Sequence, residues 1–417
     1  MTSFLRRLAA LAAVFWMTTP SAMAAEASPQ VTGNNAWMLT ATALVLFMTI
    51  PGLALFYGGL VQKRNVLSVL MHCFSLTCVL TLVWLGVGYS LAVGKSGGLT
   101  GGWSHLFHRG VTADQILPSA FQMTFFIITP ALIVGTFVER VKFSAMLLFS
   151  VLWSVLVYAP ICHITWFGGW FQQKGVIDLA GGIVVHITAG VAALVACIMV
   201  GKRTDPHPPH NLPMTVTGTA MLWVGWFGFN AGSQGAATDA AAMTLFVTHI
   251  SAATGACMWA LIECFTIRKP SVLGIATGSI AGLAAITPAS GVAGPMGAML
   301  IGAVSGAVCW WASVKLKNHF KYDDSLDVVG VHGVGGVVGT LLAAVVGTAA
   351  FGGSGDFEMM PQLGLQTMAA VITAGYSLVV SIVILVVVRA VCGGLRVTEA
   401  EEREGLDQAA HGESAYN

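Results

Sequence analysis

The chain has 417 residues, of which 56% are hydrophobic and 9% charged, with a formal net charge of +1 and a mean hydropathy of +0.80. A soluble domain carries roughly 25% charged residues, so this composition excludes an ordinary water-soluble globular protein, and the near-zero net charge gives a nucleic-acid partner no electrostatic support. Eight cysteines lie within or at the ends of apolar runs, a distribution that fits neither a disulfide framework nor zinc ligation.

The first element in chain order is a leader. Arg6-Arg7, an apolar stretch from Leu8 to about Met17, and Ala22-Met23-Ala24 have the order of a secretory signal peptide with a small-residue cleavage site. Residues 1–24 are therefore expected to be removed, so that the mature chain starts near Ala25, outside the cytoplasm. Apolar runs of about 20 residues follow, separated by short polar punctuation. They predict membrane-spanning helices over 36–60, 66–94, 119–138, 144–169, 181–200, 213–232, 239–266, 272–287, 291–314, 328–350 and 367–392. The fold class is thus an all-α polytopic membrane protein of about eleven crossings, with a membrane domain over 25–392 and a polar tail over 393–417.

Lysine and arginine orient it. Lys63, Arg64, Arg140, Lys142, Lys202, Arg203, Arg268, Lys269, Lys315, Lys317 and Lys321, with Arg396 and Arg403 in the tail, fall on one side; Lys95, Arg109 and Lys174 fall on the other. The positive-inside rule puts the N-terminus outside and the tail inside, which requires an odd number of crossings.

Three groups of residues point to chemistry. Phe121 and Phe125 form a stripe in the third span, Trp166 stands near the outer end of the fourth, and Trp226, Phe229 and Ser233 share one face of the sixth. Aromatic faces attract small cations, and a hydroxyl accepts a hydrogen bond from one; core packing or an interfacial aromatic belt is the alternative for any one of them. Deeper, His186 and His332 lie in similar settings, Val185-His186-Ile187-Thr188-Ala189-Gly190-Val191 and Val331-His332-Gly333-Val334-Gly335-Gly336-Val337. Ionisable groups in lipid-buried helices are costly and mark function by default, and an internal repeat is a common way to place two equivalent residues at one midplane site. Two unrelated packing histidines are the bland alternative.

These residues belong to longer strings. Leu44 to Gly59, Glu139 to Ala145, His210 to Met214, Trp226 to Ser233, Asp327 to Val334, Glu401 to Asp407 and His411 to Tyr416 make the chain resemble the bacterial Amt-type ammonium transporters over nearly its whole mature length. The resemblance implies a homotrimer of eleven-helix subunits in the inner membrane, each subunit having its own pore and an inverted five-helix repeat. It implies transport of ammonium, with methylammonium as analogue and no cofactor. It also implies an outer cation site at Phe125, Trp166 and Ser233, a stacked gate at Phe125 and Phe229, pore histidines His186 and His332, and supporting roles for Asp178 and Trp226. Asp178 also stands where a helix N-cap would be. The tail string implies a docking platform for a trimeric PII signalling protein, and an ammonium sensor acting with PII is the alternative to a transporter.

Two other classes are weighed. Gly86-Val87-Gly88-Tyr89 resembles a potassium-filter string, which would need an unwound backbone. A membrane enzyme using the two histidines as acid and base, or as metal ligands, would need an accompanying carboxylate; Glu263 is the only deep acidic candidate.

Overall fold

In hydrocarbon every backbone N–H and C=O must be satisfied internally, and a chain this apolar answers with helices. A computed structural model describes residues 29–95 and 98–416; the expected leader, 1–24, lies outside the described residues. Eleven long helical segments follow: α1 (Val31–Leu60), α2 (Lys63–Val93), α3 (Ala113–Val134), α4 (Phe143–Gln173, broken at Gly168), α5 (Gly182–Val200), α6 (Leu212–Gly232), α7 (Asp239–Thr266), α8 (Val272–Ile286), α9 (Pro295–Phe320), α10 (Val329–Val346) and α11 (Met359–Val391). Among the described residues nine are long and apolar enough to cross a bilayer. The other two, α6 and the 15-residue α8, pack within the same bundle. Two short helices in the tail, α12 (Glu399–Glu404) and α13 (Leu406–His411), complete the chain.

Among the boundaries that depart from the hydropathy pattern, two have a clear local cause. α11 starts at Met359 rather than 367 because its first turns carry glutamines that are buried and paired. Gln362 donates to the Gly175 carbonyl at 3.0 Å, and Gln366 bonds the N–H and C=O of Ile177 at 2.8 and 2.7 Å. α9 runs past 314 to Phe320, where Lys315 and Lys317 end the span with long, interface-tolerant side chains. The filter-like string Gly86–Tyr89 lies in helical turns of α2, with Gly88 against the Phe126 ring.

The centre of the bundle is the crossing of α5 and α10. Apolar attraction does not drive helices together in lipid, so close packing must, and small residues permit it here. A Cβ on Gly190 would lie 2.1 Å from the Gly333 Cα, and one on Gly336 would lie 2.8 Å from the His186 Cβ. Both histidines fall in widened π turns, Gly182–Ile187 and Val329–Gly333, a local geometry frequent at functional positions.

At the opposite end from the Trp166-lined cavity described below, the tail is stitched to the bundle. Residues 140–142 and 395–397 pair through backbone hydrogen bonds at 2.9 and 3.0 Å. The Leu406 N–H donates to Asn65 Oδ1 at 2.8 Å, and Asp407 accepts from the Ser68 N–H at 2.7 Å, capping α2 from a distant part of the chain. Basic residues of the neighbouring loops donate to backbone carbonyls. Arg140 is fully buried and donates to the Thr136, Val138, Gly201 and Asp323 carbonyls and to Ser325. Lys142 donates to the Cys392 and Gly393 carbonyls. Helix and loop carbonyls at a buried end need donors more than the exposed acids do.

Gly190→Val sets backbone against backbone and should destabilise the detergent-purified protein by about 1–3 kcal/mol, the range for overpacking. Thermal unfolding checks it, with Gly364→Ala as the control expected to change little, since nothing lies within 4 Å of a Cβ there.

Candidate pore and substrate site

From one end of the bundle inward, the first feature is a cavity of about 370 Å³ lined by residues that include Asp114, Phe121, Gln122, Trp166 and Ser233. The Trp166 indole N–H donates to the Asp178 carbonyl at 2.7 Å, which fixes the ring. Ser233 donates to the Phe229 carbonyl at 2.8 Å, leaving its lone pairs free to accept. Phe125 meets Trp166 edge-on, with centroids 5.9 Å apart, and stacks on Phe229 at 4.2 Å and 24°. Both phenylalanines are buried, and Phe229 lines the next space inward. Phe126 points the other way, against Trp84 and Tyr158.

Below the stacked rings lies a narrow lumen of about 10 Å³, room for about one water-sized molecule. Its walls are apolar, among them Leu53, Ile128, Leu132, Leu222 and Ile280, and its polar groups are His186 and His332. The histidine Nδ1 atoms are 3.2 Å apart, so one ring donates and the other accepts. His186 Nε2 is buried with no hydrogen-bond partner. Trp226 stacks over His186 at 5.6 Å, while its own N–H turns away to Thr287 at 2.9 Å. His332 also lines the next cavity, of about 160 Å³, with Tyr57, Arg203, His207 and Asp327. The chain of spaces is therefore cavity, ring pair, histidine lumen, cavity.

Asp178 supports this from the helix end. Its two oxygens accept the N–H groups of Gly181, Gly182, Ile183 and Val184 at 2.7–3.2 Å, so it is an N-cap of the His186 helix. An equivalent residue was not picked out from the sequence. Asp324 accepts the Val329 N–H at 2.8 Å and caps the His332 helix. Each aspartate stands eight residues before its histidine (178 to 186, 324 to 332), a spacing that aligning the two histidine segments would have exposed. Burial pushes both carboxyls up to about 6. The accepted backbone N–H groups pull Asp178 back, whereas Asp327 adds to the rise at Asp324 and Lys317 opposes it. Glu263 belongs elsewhere: it accepts from Ser271 and Trp259 at the start of α8. Among the described residues no group of three or more His, Cys, Asp or Glu could hold a metal.

Fold and site together define a multi-pass membrane protein with an aromatic-lined mouth and a narrow apolar lumen suited to a very small polar solute. The profile of the Ammonium Transporter Family matches residues 36–416. The chain is 44% identical over 398 residues to an ammonium transporter of Aquifex aeolicus, covering 93% of this chain and 94% of that one. It is 44% identical over 400 residues to an ammonium transporter of Bacillus subtilis, covering 92% and 98%. The solved structure of a sensor Amt protein superposes with a TM-score of 0.86 at 29% identity, covering 92% and 99%; that of Saccharomyces cerevisiae Mep2 superposes with 0.81 at 32%, covering 89% and 88%. The chain belongs to the ammonium transporter family.

Asp178→Ala frees four buried N–H groups and should lower stability by about 2 kcal/mol, the upper end for a lost cap. Asp324→Ala should cost less, and Asp324→Asn, which keeps one acceptor, less still. Thermal unfolding in detergent ranks the three.

Proposed function

We propose that this chain moves ammonium nitrogen across the membrane by recruiting the cation at Phe125, Trp166 and Ser233, removing a proton, and passing ammonia through the Phe125–Phe229 gate and along His186 and His332. The observation that carries this reading is the lumen itself: apolar walls, a mutually hydrogen-bonded histidine pair, and one unpartnered ring nitrogen in a space for one small molecule. Energetics favour the neutral route. Stripping a cation of water costs several kcal/mol even after relaxation, whereas cation–π contact returns roughly 2 kcal/mol. Removing a proton from a group of pKa about 9 at pH 7 costs about 3 kcal/mol. Potassium has no proton to lose, so the same step gives selectivity. Two charged imidazoles at this distance would repel each other and the cation; we therefore take the pair as neutral, with Trp226 holding His186 and Asp178 setting its helix.

The wider frame of the proposal is eleven crossings, the N-terminus outside, a homotrimer with one pore per subunit, and residence in a bacterial inner membrane. Transport rather than catalysis is supported by the family and by relatives named as ammonium transporters. Replacing both His186 and His332 by leucine should leave a folded protein with altered methylammonium flux or cation discrimination in proteoliposomes. Trp166→Leu should weaken cation recruitment by roughly 1–2 kcal/mol, read as a higher half-saturating concentration. Unchanged rates and discrimination in both variants would make these residues structural.

A sensing role with a PII protein is the second reading. The docked tail favours it, with Arg64 donating to the Arg403 carbonyl, Glu402 accepting from Thr204, and Tyr416 meeting His210 at 3.0 Å. So does the likeness to a sensor Amt protein. Deleting residues 396–417 should reduce transport and abolish PII recruitment to membranes; full recruitment by the truncated protein would refute the docking role.

A further inference from the structure

A larger cavity lies away from the pore. It has a volume of about 740 Å³, within the roughly 300–1,000 Å³ of ordinary ligand sites, and sits between the end of α5, the end of α9 and the start of α10. Its walls are mostly apolar: Leu194, Ile198, Leu316 and Phe320, of which Ile198 is 62% and Phe320 67% exposed on the flank of the bundle. One end is basic. Lys202 and Lys321 line it and continue into a neighbouring cavity of about 340 Å³ that adds Arg203 and Lys317. Most nearby charge is already matched. Asp323 takes the Arg203 backbone N–H and guanidinium at 2.7–3.0 Å, and Lys317 pairs with Asp327. Lys202 and Lys321 have no side-chain partner among the described residues. What remains is an apolar slot open to the membrane with two unmatched cations where the helices meet water.

We propose that this flank cavity binds an anionic phospholipid, with its phosphate between Lys202 and Lys321 and an acyl chain along Leu194, Ile198, Leu316 and Phe320. Free phosphate would use the lysines but not the apolar wall, and a zwitterionic lipid would use the wall but match the cations poorly. Basic pockets between transmembrane helices near the charged side of a membrane recognise such headgroups. The proposal requires only that the helices span a bilayer, and is independent of what the pore conducts.

Two measurements test it on the full chain. In the first, delipidated protein in detergent is titrated with short-chain phosphatidylglycerol, phosphatidylcholine and glycerol 3-phosphate, and bound ligand is counted by native mass spectrometry. Phosphatidylglycerol should bind most tightly, and Lys202→Gln/Lys321→Gln should weaken it about 25-fold, about five-fold per lysine. Equal binding of glycerol 3-phosphate or phosphatidylcholine, or an unaffected double variant, would overturn the site. In the second, lysines are acetylated in nanodiscs of phosphatidylcholine with and without phosphatidylglycerol. Lys202 and Lys321 should react several-fold more slowly with the anionic lipid, while Lys269 and Lys174 keep their rates. Equal slowing of Lys269 would mean diffuse surface attraction, and protection already complete in phosphatidylcholine would mean that a second copy of the chain covers the cavity; either result overturns the proposal.

Discussion

The approach of two backbones at Gly190 and Gly333 is the constraint on which the rest of the bundle hangs. In lipid the helices gain little from hiding apolar side chains from one another, so contact has to come from close packing. With no Cβ on Gly190, α5 and α10 come near enough for their histidines to share a hydrogen at 3.2 Å. A wider crossing would separate the rings and leave two buried imidazoles each without the other's nitrogen, a cost of about 1–3 kcal/mol for each orphaned group. Helix spacing and site chemistry are therefore one geometric fact.

That crossing is held in register from both ends by charge placed at helix starts. Asp178 accepts four N–H groups at the start of α5, and Asp324 accepts one at the start of α10, the ends where orphan donors accumulate and where a negative group meets the positive end of the helix dipole. Farther out, Arg203 joins Glu139 and Asp323, with N–O distances of 3.0 and 2.8 Å. Buried Arg140 ties the turn after α3 to the loop before α10 through carbonyls. Charged groups thus concentrate at the ends of the bundle, and in the lumen between them His186 Nε2 has no hydrogen-bond partner.

The tail obeys the same logic. Its acids do not scatter over a basic surface; Glu402 and Asp407 each accept a particular backbone N–H, and Gly405, at φ +103°, packs against Arg64. A segment attached through loop and helix-end donors is coupled to the positions of the helices it touches, α2 above all, and this gives the tail a physical route to the bundle.

Composition and periodicity were enough to determine a helical membrane bundle, because apolar runs of about 20 residues have few other fates. They also exposed the two histidines, since an ionisable residue in such a run is conspicuous by itself. The aromatic and hydroxyl residues of the mouth were legible as a face of α6 and a stripe of α3, but periodicity alone did not single out Phe125 over Phe126, because adjacent helical positions point about 100° apart and only packing selects one; the family resemblance did. Asp324 escaped for a related reason: a cap is recognised by the N–H groups it reaches, and nothing local distinguishes it from the neighbouring Asp327. The start of α11 was misjudged because hydropathy counts Gln362 and Gln366 as polar wherever they stand, whereas their partners, Gly175 and Ile177, come from nearly two hundred residues away. Each of these was decided by tertiary structure, because hydrogen bonding and ring contact are properties of pairs, and a single chain position does not record which partner the fold will bring to it.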